Sequence, residues 1–370
     1  MDSLPLVRRS LLDWFAAHGR DLPWRRGYAP WDVLVSEVML QQTQMDRVVP
    51  FFTRFLARFP DPAALAAAPE EEVLKLWEGL GYYARARNLQ AAARAMVREH
   101  GSRVPADPDA LRGLPGVGPY TAAAVASIAH GQDAPLVDAN VERVLARVFD
   151  VDESLATAAG KKKIAALAAR LLPPGRARDF NQALMELGAL VCAKAPRCGD
   201  CPLREICEAR RLGIVAERPV RAPRKAITPL TVCTGVLARG GRLFVQKRPT
   251  PGVWAGLWEF PGGMVEPGET PAEAVVREFR EETELAVRVV EPLGLVRHGY
   301  TTYSVALHCY RLALADGRAE PVLHAADECR WADAPDLARL AFPAGHRKLL
   351  DRLAADGRLA ELLTPAPPEP

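Results

Sequence analysis

The chain has 370 residues, of which 49% are hydrophobic and 25% are charged, and this composition excludes a disordered or low-complexity polypeptide. Its length predicts at least two domains, because one hydrophobic core rarely grows so large. No apolar run approaches the ~20 residues of a membrane span, and the start lacks a signal peptide, so we expect a soluble cytoplasmic protein without a membrane partner. The net charge is +3, and the excess of basic residues in the first 225 positions favours a polyanionic partner.

The first part of the chain has a helical pattern. Across residues 1–210, apolar residues recur at three- and four-residue spacing, and Pro and Gly fall mostly between these runs, which predicts an all-α domain. Residues 211–228 contain regularly spaced prolines and several basic residues with little periodicity, so we predict a basic linker there.

The pattern becomes strand-like after the linker. Strands are predicted at residues 230–238, 242–248 and 304–314, and one helix is predicted at residues 270–285. Residues 229–355 should therefore form an α+β domain. Residues 356–370 are predicted to form a tail, whose proline-rich end, TPAPPEP at residues 364–370, is expected to be disordered.

A helix connection is predicted at residues 111–122, LRGLPGVGPYTA. One helix should end near Arg112 and another should begin at Pro119, because proline suits the first position of a helix. Gly116 and Gly118 are expected to allow a tight turn with positive φ. The free N–H groups of such a turn, together with the helix dipole, can hold a phosphate of a nucleic acid.

This connection resembles the hairpin of the helix-hairpin-helix glycosylases of base excision repair, the superfamily of endonuclease III and MutY. The resemblance implies a six-helix part at about residues 30–130 and a catalytic aspartate about twenty residues after the hairpin, where Asp138 stands. In the lyase branch, a lysine that forms a Schiff base occupies the position of Tyr120. A phenol cannot form a Schiff base, so Tyr120 favours the MutY family, whose members hydrolyse the glycosidic bond without cutting the strand.

Removal of adenine needs a proton donor near the base and an ionised carboxylate near the sugar. Residues 31–44, WDVLVSEVMLQQTQ, resemble the MutY segment that supplies the acid. The resemblance implies that Glu37 protonates adenine at N7 and later positions water, and that Asp138 stabilises the sugar cation. Tyr120 and Asn140 would orient these groups. Apolar neighbours of Glu37 would help to keep it protonated.

The resemblance also implies DNA contacts, because a base must leave the duplex before it can react. Tyr82, in WEGLGYYARARN, would wedge beside the lesion. Trp24 and Arg25 would lie near the adenine pocket. The remaining residues assigned to DNA are Gln41, Gln42, Thr43, Arg85 and Arg87. The expected partner is double-stranded DNA with adenine opposite 8-oxoguanine or guanine, and the protein is expected to be a monomer.

A cluster of cysteines follows the last predicted helix of the first domain. Its members are Cys192, Cys198, Cys201 and Cys207, whereas Cys233, Cys309 and Cys329 are scattered and are expected to be buried thiols. In a cytosolic chain such a cluster indicates zinc or an iron–sulfur cluster rather than disulfides. The resemblance implies a [4Fe–4S] cluster in an iron–sulfur loop at residues 192–207, although the family has one more residue between the first two cysteines. This loop would brace Lys194, Arg197 and Arg204 against DNA.

The second domain resembles the MutT-like Nudix domain of MutY proteins. Residues 263–285 fit the Nudix motif at Gly263, Glu269, Arg277, Glu278, Glu281 and Glu282, whereas Glu284 replaces its last glycine. Glu278, Glu281 and Glu282 fall on one helical face and could bind Mg²⁺ together with a diphosphate, or the motif could be an inactive relic. The loop that contacts 8-oxoguanine in the family aligns with Tyr300, Thr301 and Thr302.

The sequence therefore predicts a multi-domain enzyme, with an all-α glycosylase domain followed by a Nudix-like domain. Its expected function is that of a monofunctional adenine DNA glycosylase. Three alternatives stay open. These are a bifunctional protein whose Nudix domain also hydrolyses oxidised nucleoside triphosphates, an endonuclease III-like glycosylase with lyase activity, and a catalytically inactive DNA-binding protein.

Overall fold

A computed structural model describes residues 4–221, 226–300, 302–316 and 319–365. The chain forms two compact units, one built from Met1–Ala67 and Asn88–Arg224, and the other from Ala68–Arg87 and Lys225–Pro370. The predicted all-α and α+β characters are both found. In the part of the chain that the structure describes, no helix is both long enough and apolar enough to cross a bilayer.

Helices make up the first unit. In chain order, the α-helices before the first strand are α1 (Leu4–His18), α2 (Pro30–Leu40), α3 (Met45–Arg58), α4 (Pro62–Ala67), α5 (Glu70–Trp77), α6 (Ala84–Glu99), α7 (Pro108–Gly113), α8 (Pro119–Ala124), α9 (Ala139–Val148), α10 (Ala158–Leu171), α11 (Ala177–Leu190) and α12 (Glu208–Arg211). Of these, α5 and the first residues of α6 belong to the second unit. Proline begins α2, α7 and α8, where its missing N–H has no partner to lose.

The core of the first unit joins α1, α9, α10 and α11. Helix α9 buries Val141, Val144, Leu145 and Val148, the spacing that places apolar side chains on one helical face. These side chains pack against Leu184 and other residues of the same cluster. Because α9 is fixed by this core, the residues at its N-terminal end are held in a defined place.

The second unit is a six-stranded sheet with helices. The strands are β1 (Thr228–Arg239), β2 (Arg242–Lys247), β3 (Trp258–Glu259), β4 (Val287–Tyr300), β5 (Tyr303–Leu314) and β6 (Glu328–Ala332), in the order β3-β2-β1-β5-β4, with β6 also paired to β2. The helices are α13 (Pro271–Thr283), α14 (Ala334–Arg339), α15 (Ala344–Ala355) and α16 (Arg358–Leu362). Strands β1 and β5 are parallel, with Thr228 opposite Tyr303, and the other pairs are antiparallel.

Apolar side chains cover both faces of this sheet. Val275 and Phe279 of α13 pack on one face, and Leu349 and Leu353 of α15 pack on the other. The three predicted strands correspond to β1, β2 and β5. The sequence did not predict β3, β4 or β6.

Residues 68–87 are placed differently from the prediction, which assigned them to the helical domain. Within the second unit, Glu71 accepts a hydrogen bond of 2.8 Å from the indole N–H of Trp258. Glu78 forms an ion pair of 2.9 Å with Arg347. These polar contacts join positions far apart in the sequence, and periodicity cannot reveal them.

Candidate functional site

A cavity of about 640 Å³ lies in the first unit, lined by α2, α8, α11 and the N-terminal end of α9. The four predicted catalytic residues, Glu37, Tyr120, Asp138 and Asn140, all line it. So do Trp24 and four residues predicted to contact DNA or adenine, namely Arg25, Gln41, Gln42 and Thr43. The structure thus brings together side chains that are about 100 positions apart in the sequence.

Glu37 is buried in the wall of this cavity, with 5% of its surface exposed. Burial raises the pKa of its carboxyl to about 7, and the nearby Asp138 adds to the rise. The phenol of Tyr120 donates a hydrogen bond of 3.1 Å to Glu37 Oε2 and opposes the rise, as does the charge of Arg25. Glu37 can therefore hold or release a proton near neutral pH.

Asp138 is the N-cap of α9. Its Oδ1 accepts hydrogen bonds from the backbone N–H groups of Asn140 at 2.9 Å and Val141 at 2.7 Å, and its Oδ2 accepts one of 2.9 Å from the Asn140 side chain. Burial raises the pKa of Asp138, whereas these three hydrogen bonds and the charge of Arg143 oppose the rise. The carboxylate therefore has a fixed orientation and donors that favour its ionised form.

A chain of hydrogen bonds connects Asp138 to the first cysteine of the cluster. Asn140 donates to Asp138 and accepts a hydrogen bond of 2.6 Å from Arg143 Nη2. Arg143 Nε in turn donates to the carbonyl oxygen of Cys192 at 2.7 Å. Arg147 Nη1 lies 3.4 Å from the Cys192 sulfur. Both arginines are buried, so these contacts are shielded from water.

Another part of the cavity wall contains a buried ion-pair group. Glu186 is 1% exposed and pairs with Arg20 at 2.9 Å and Arg25 at 3.0 Å. Arg25 also donates to Gln182 Oε1 at 2.7 Å. Although burial raises the pKa of Glu186, the two arginines together lower it below its usual range. This wall therefore presents ionised and amide groups to any polar molecule in the cavity.

The hairpin has the predicted boundaries, since α7 ends at Gly113 and α8 begins at Pro119. Gly116 has φ +74°, and a Cβ there would lie 2.6 Å from the Cβ of Asn88. The expectation of positive φ at Gly118 was wrong, because this residue is the extended N-cap of α8 with φ −83°. Only Gly116 of the two glycines thus needs the left-handed conformation.

The residues predicted to face DNA differ in their surroundings. Gln42 and Tyr82 both have positive φ, +56° and +49°, which is costly for residues with a side chain and is typical of functional loops. Tyr82 is 41% exposed. Arg85 was predicted to meet phosphates, but it is 8% exposed, donates to the carbonyl of Gly81 and lies over the rings of Trp77 and Tyr82. It therefore supports the Tyr82 loop. Arg87 donates to the carbonyl of Ala255.

The four clustered cysteines surround one small cavity and are free of disulfides. Cys198 begins a 3-10 turn, Cys207 precedes α12, and Cys192 follows α11 directly after Val191. Burial raises the pKa of Cys201 to about 11. Of the scattered cysteines, Cys233 and Cys309 are buried as expected, whereas Cys329 is partly exposed.

The Nudix motif has a well-ordered arrangement of charges in the second unit. Arg277 pairs with Glu269 at 2.7 Å and with both Glu278 and Glu281 at 3.1 Å. A Cβ on Gly263 would lie 2.3 Å from Glu278 Oε1, so a side chain there would require the Glu278 carboxylate to move. Among the residues that the structure describes, no three His, Cys, Asp or Glu side chains are grouped so that they could hold a single metal ion.

Two further features of the second unit were predicted, the end of the Nudix motif and the loop that aligns with the family's 8-oxoguanine contact. Glu284, which replaces the last glycine of the motif, ends α13 in the left-handed conformation with φ +56°. This conformation explains why the motif has glycine there. The side chain of Tyr300 and the whole of Thr301 lie outside the described residues. Neighbouring Thr302 accepts a backbone hydrogen bond from Thr228 at 2.8 Å.

The sequence matches known proteins over both units. Residues 35–174 match the HhH-GPD superfamily of base excision DNA repair proteins, and residues 233–352 match the NUDIX domain. Adenine DNA glycosylase of Homo sapiens is 36% identical over 403 residues, covering 92% of this chain and 73% of that protein. The enzyme of Mus musculus is 35% identical over 409 residues, covering 95% and 78%. This chain belongs to the adenine DNA glycosylase family.

A bacterial relative and a solved structure each match just over half of this chain. Adenine DNA glycosylase of Mycolicibacterium smegmatis is 46% identical over 209 residues, covering 56% of this chain and 70% of that protein. A solved structure of a thermostable thymine-DNA glycosylase has a TM-score of 0.52 and 31% identity, covering 57% of this chain and 97% of that chain. The predicted family and the predicted two-domain fold class are confirmed.

Sequence reasoning missed several residues of this adenine DNA glycosylase site. Arg143 and Glu186 were not predicted as site residues, because a helical sequence pattern does not show which of its charged residues will be buried. Gly188 was also missed. A Cβ at Gly188 would lie 2.6 Å from the Cβ of Asn140, so glycine allows α11 to approach α9.

Proposed function

We propose that this protein hydrolyses the N-glycosidic bond of adenine in double-stranded DNA, where the adenine is opposite 8-oxoguanine or guanine. The observation that carries the proposal is the pairing of Glu37 with Asp138 in one cavity. Burial raises the pKa of Glu37 to about 7, while Asp138 accepts three hydrogen bonds that favour its anion. Two carboxyl groups in such different surroundings can act as acid and as anion.

Glu37 is the general acid in this proposal. Adenine leaves readily once its ring is protonated, and a carboxyl that is half protonated near pH 7 is matched to that task. After the base leaves, the Glu37 carboxylate can accept a proton from water. Tyr120 keeps its own proton, because burial raises the pKa of its phenol, and it holds Glu37 through their hydrogen bond.

Asp138 stabilises the positive charge that develops on the sugar. Its two oxygens are fixed by Asn140 and Val141, so the carboxylate need not reorganise when the cation forms. Asn140 is itself oriented by Arg143. We assign Asn140 as the residue that positions Asp138.

A lyase reaction is disfavoured for this site. Schiff-base formation needs an amine beside the sugar, and the hairpin helix presents the phenol of Tyr120 at that position. The described residues that line the cavity contain arginines but no lysine. We therefore propose a monofunctional enzyme rather than an endonuclease III-like lyase.

Several elements would bind the duplex. The hairpin at Gly116 would hold a backbone phosphate, and Gln41, Gln42 and Thr43 would contact the opposite strand at the cavity rim. Tyr82 would wedge into the base stack, supported by Arg85 and its ring contacts. Tyr300 and Thr301 are proposed to contact the guanine or 8-oxoguanine opposite the adenine.

We further propose that Cys192, Cys198, Cys201 and Cys207 hold a [4Fe–4S] cluster. Four free thiols around one cavity fit a polynuclear cluster, whose irons and sulfides occupy the space between the thiolates. The guanidinium of Arg147 beside the Cys192 sulfur would partly neutralise the charge of the cluster ligands. The cluster would brace the loop with Lys194, Arg197 and Arg204.

The proposed activity can be tested with one duplex. A duplex with adenine opposite 8-oxoguanine is incubated with the protein, and each sample is analysed with and without hot alkali. Strand cleavage only after alkali is expected, because base removal leaves an alkali-labile site. Glu37→Gln and Asp138→Asn should each abolish it. Cleavage without alkali would contradict the monofunctional proposal, and no product from a folded, iron-containing preparation would contradict adenine removal.

Hydrolysis of oxidised nucleoside triphosphates by the Nudix unit is the second candidate. Its support is the intact charge network of Arg277 with Glu269, Glu278 and Glu281, together with the partly buried Glu282, whose pKa is raised by burial to about 7. Against it, Arg277 Nη1 contacts both Glu278 and Glu281, so a Mg²⁺ ion on these carboxylates would have to displace this contact. Phosphate release from 8-oxo-dGTP with Mg²⁺, lost on Glu281→Gln, would support hydrolysis, whereas no release would exclude it.

A further inference from the structure

The loop that carries Tyr82, residues 78–83, has an unusual backbone. Gly79 and Gly81 have φ values of +106° and +76°, and Tyr82 itself has φ +49°. The left-handed conformation is costly for a residue with a side chain, so it persists only where the surroundings hold it. Because the Tyr82 side chain is 41% exposed, the neighbouring residues must supply much of this hold.

Both ends of this loop are bound to one residue of the second unit. Glu78 Oε1 accepts a hydrogen bond of 2.8 Å from the backbone N–H of Phe342, and the phenol of Tyr83 donates one of 3.3 Å to the carbonyl oxygen of the same residue. Phe342 is fully buried, and the centre of its ring lies 5.9 Å from that of Phe260. The loop is therefore closed across a point in the core of the second unit.

Charged groups fix the Glu78 carboxylate at this point. Arg347 Nε donates to its Oε1 at 2.9 Å, and Lys75 Nζ donates to its Oε2 at 2.6 Å. The side chains of Glu78 and Arg347 are only 12% and 23% exposed, so water screens their ion pair weakly. Arg347 Nη2 also donates to the carbonyl oxygens of Leu337 and Leu340 at 3.2 and 3.0 Å. Glu78 is therefore bound to a group that is itself held in place.

Short contacts connect these anchors to Tyr82. Trp77, which precedes Glu78, donates its indole N–H to the carbonyl oxygen of Gly81 at 3.2 Å, and Arg85 donates to the same oxygen at 3.0 Å. The backbone N–H of Arg85 donates to the carbonyl oxygen of Tyr82 at 2.9 Å, and its guanidinium lies 5.6 Å from the centre of the Tyr82 ring. A shift of either end of the loop would therefore change the direction of the Tyr82 side chain.

We propose that Glu78 and Tyr83 are positioning residues, through which Phe342 and Arg347 of the second unit set the orientation of the Tyr82 wedge. This inference rests on the proposed function, in which Tyr82 enters the base stack. A wedge that is oriented before DNA binds need not be ordered while the duplex opens, so opening is faster. The second unit thus aids the opening of the duplex, in addition to the contact proposed for it with the base opposite adenine.

The test measures duplex opening in a full-length protein that cannot react. Glu37→Gln is the common background, and 2-aminopurine beside the adenine reports unstacking as a rise in fluorescence after rapid mixing at saturating protein. Tyr83→Phe and Glu78→Ala should each slow this rise by about threefold to tenfold, because each removes hydrogen bonds that hold the loop. Tyr83→Phe retains the buried ring, so it decides the question even if Glu78→Ala fails to fold.

Glu71→Ala is the matched control. It removes the same charge from the same helix, α5, and a contact of 2.8 Å with Trp258 of the second unit, but it lies near the end of α5 that is far from the Tyr82 loop. It should leave the opening rate within about twofold. A loss in Glu71→Ala equal to that in Glu78→Ala would show that both contacts only stabilise the fold, and it would overturn the inference.

A double-mutant cycle shows whether the anchors act through Tyr82. In a Tyr82→Ala background, Glu78→Ala and Tyr83→Phe should change the opening rate by less than about twofold, because the side chain that they position is absent. Losses of the same size with and without the Tyr82 side chain would overturn the inference.

The same measurements separate this inference from the proposed function. Adenine removal is measured in the Glu37-containing protein, whereas opening is measured without chemistry. If the unsubstituted protein removes no adenine, the proposed activity fails, and the fluorescence cycle still decides the inference. If it removes adenine and Tyr82→Ala opens the duplex at the normal rate, the wedge and this inference fail while the activity stands. Slow opening by Tyr82→Ala with normal opening by Glu78→Ala and Tyr83→Phe would overturn only the positioning.

Discussion

Substitution of Tyr120 by phenylalanine tests how the cavity sets the acidity of Glu37. The phenol donates a hydrogen bond of 3.1 Å to the Glu37 carboxylate and thereby lowers its pKa, which burial raises to about 7. A hydrogen bond to a charged group contributes about 1.5–3 kcal/mol, and the length of this bond favours the lower end. Because 1.36 kcal/mol corresponds to a factor of ten, loss of the bond should raise the ratio of protonated to ionised Glu37 about tenfold.

The sign of the pH effect follows from the proposed role of Glu37 as a general acid. Activity is present below the pKa of Glu37 and is lost as pH rises through it, so a higher pKa extends activity to higher pH. At pH 8 the protonated fraction should increase from about a tenth to about half. Tyr120 stays neutral over this range, because burial raises the pKa of its phenol.

The assay is the single-turnover rate of adenine removal between pH 5 and pH 9. In Tyr120→Phe the alkaline limb of the profile should move to higher pH, whatever the height of its plateau. Tyr28→Phe is the matched control, because it removes a hydroxyl that accepts a hydrogen bond from Gln182 at 3.3 Å rather than one bound to Glu37. An alkaline limb at the same pH in Tyr120→Phe and in the unsubstituted protein would refute the reasoning.

Three further predictions concern other parts of the molecule. Gly188→Ala should destabilise the first unit by about 1–3 kcal/mol in urea unfolding and slow adenine removal, because its Cβ would meet Asn140, whereas Gly113→Ala, which has open space, should do neither. Cys201→Ser should lower the iron content and the visible absorbance of the purified protein, and full iron content would contradict its assignment as a cluster ligand. Glu284→Gly should stabilise the Nudix unit by about 0.5 kcal/mol in urea unfolding, because relief of the left-handed strain exceeds the added entropy of the unfolded chain; a loss of stability would show that the contact of Glu284 with His324 matters more.

Local signals predicted the parts of the fold that depend on short-range physics. Proline at Pro119 and helical periodicity located the hairpin, because both act within a few residues. The strand β4 was missed because irregularities at Val289–Glu291 and Pro292–Gly294 interrupt its alternating pattern. The strand β6 was missed because its burial depends on β2, which is distant in the sequence. Residues 68–87 were assigned to the helical domain for the same reason, because nothing local marks the contacts of Glu71 and Glu78.

In the candidate site, too, residues within contiguous motifs were predicted, whereas residues that depend on packing between distant segments were not. Glu37 and Asp138 were predicted as catalytic residues through a family resemblance, because their motifs are contiguous stretches of sequence, and both line the cavity. Arg143 was not found, although it joins Asn140 to Cys192, because its role depends on the packing of α9 against the cysteine loop. Likewise, Arg85 looked like a DNA contact until its burial over Trp77 and Tyr82 was visible.

The energetics of the cavity explain why Asp138 is so firmly held while Glu37 is not. The pKa of Glu37 is about 7 in the folded protein and about 4.5 in the unfolded chain. The free energy of unfolding therefore falls as pH rises between these two values, by about 3 kcal/mol in total. Further hydrogen-bond donors to Glu37 would restore this free energy of unfolding. They would also lower its pKa, and an ionised Glu37 could no longer protonate adenine. Asp138 has no such conflict, because its anion is the form proposed to act, and three hydrogen bonds and Arg143 can stabilise it. The unequal numbers of donors on the two carboxyl groups are therefore a physical basis for the different roles that we propose for them.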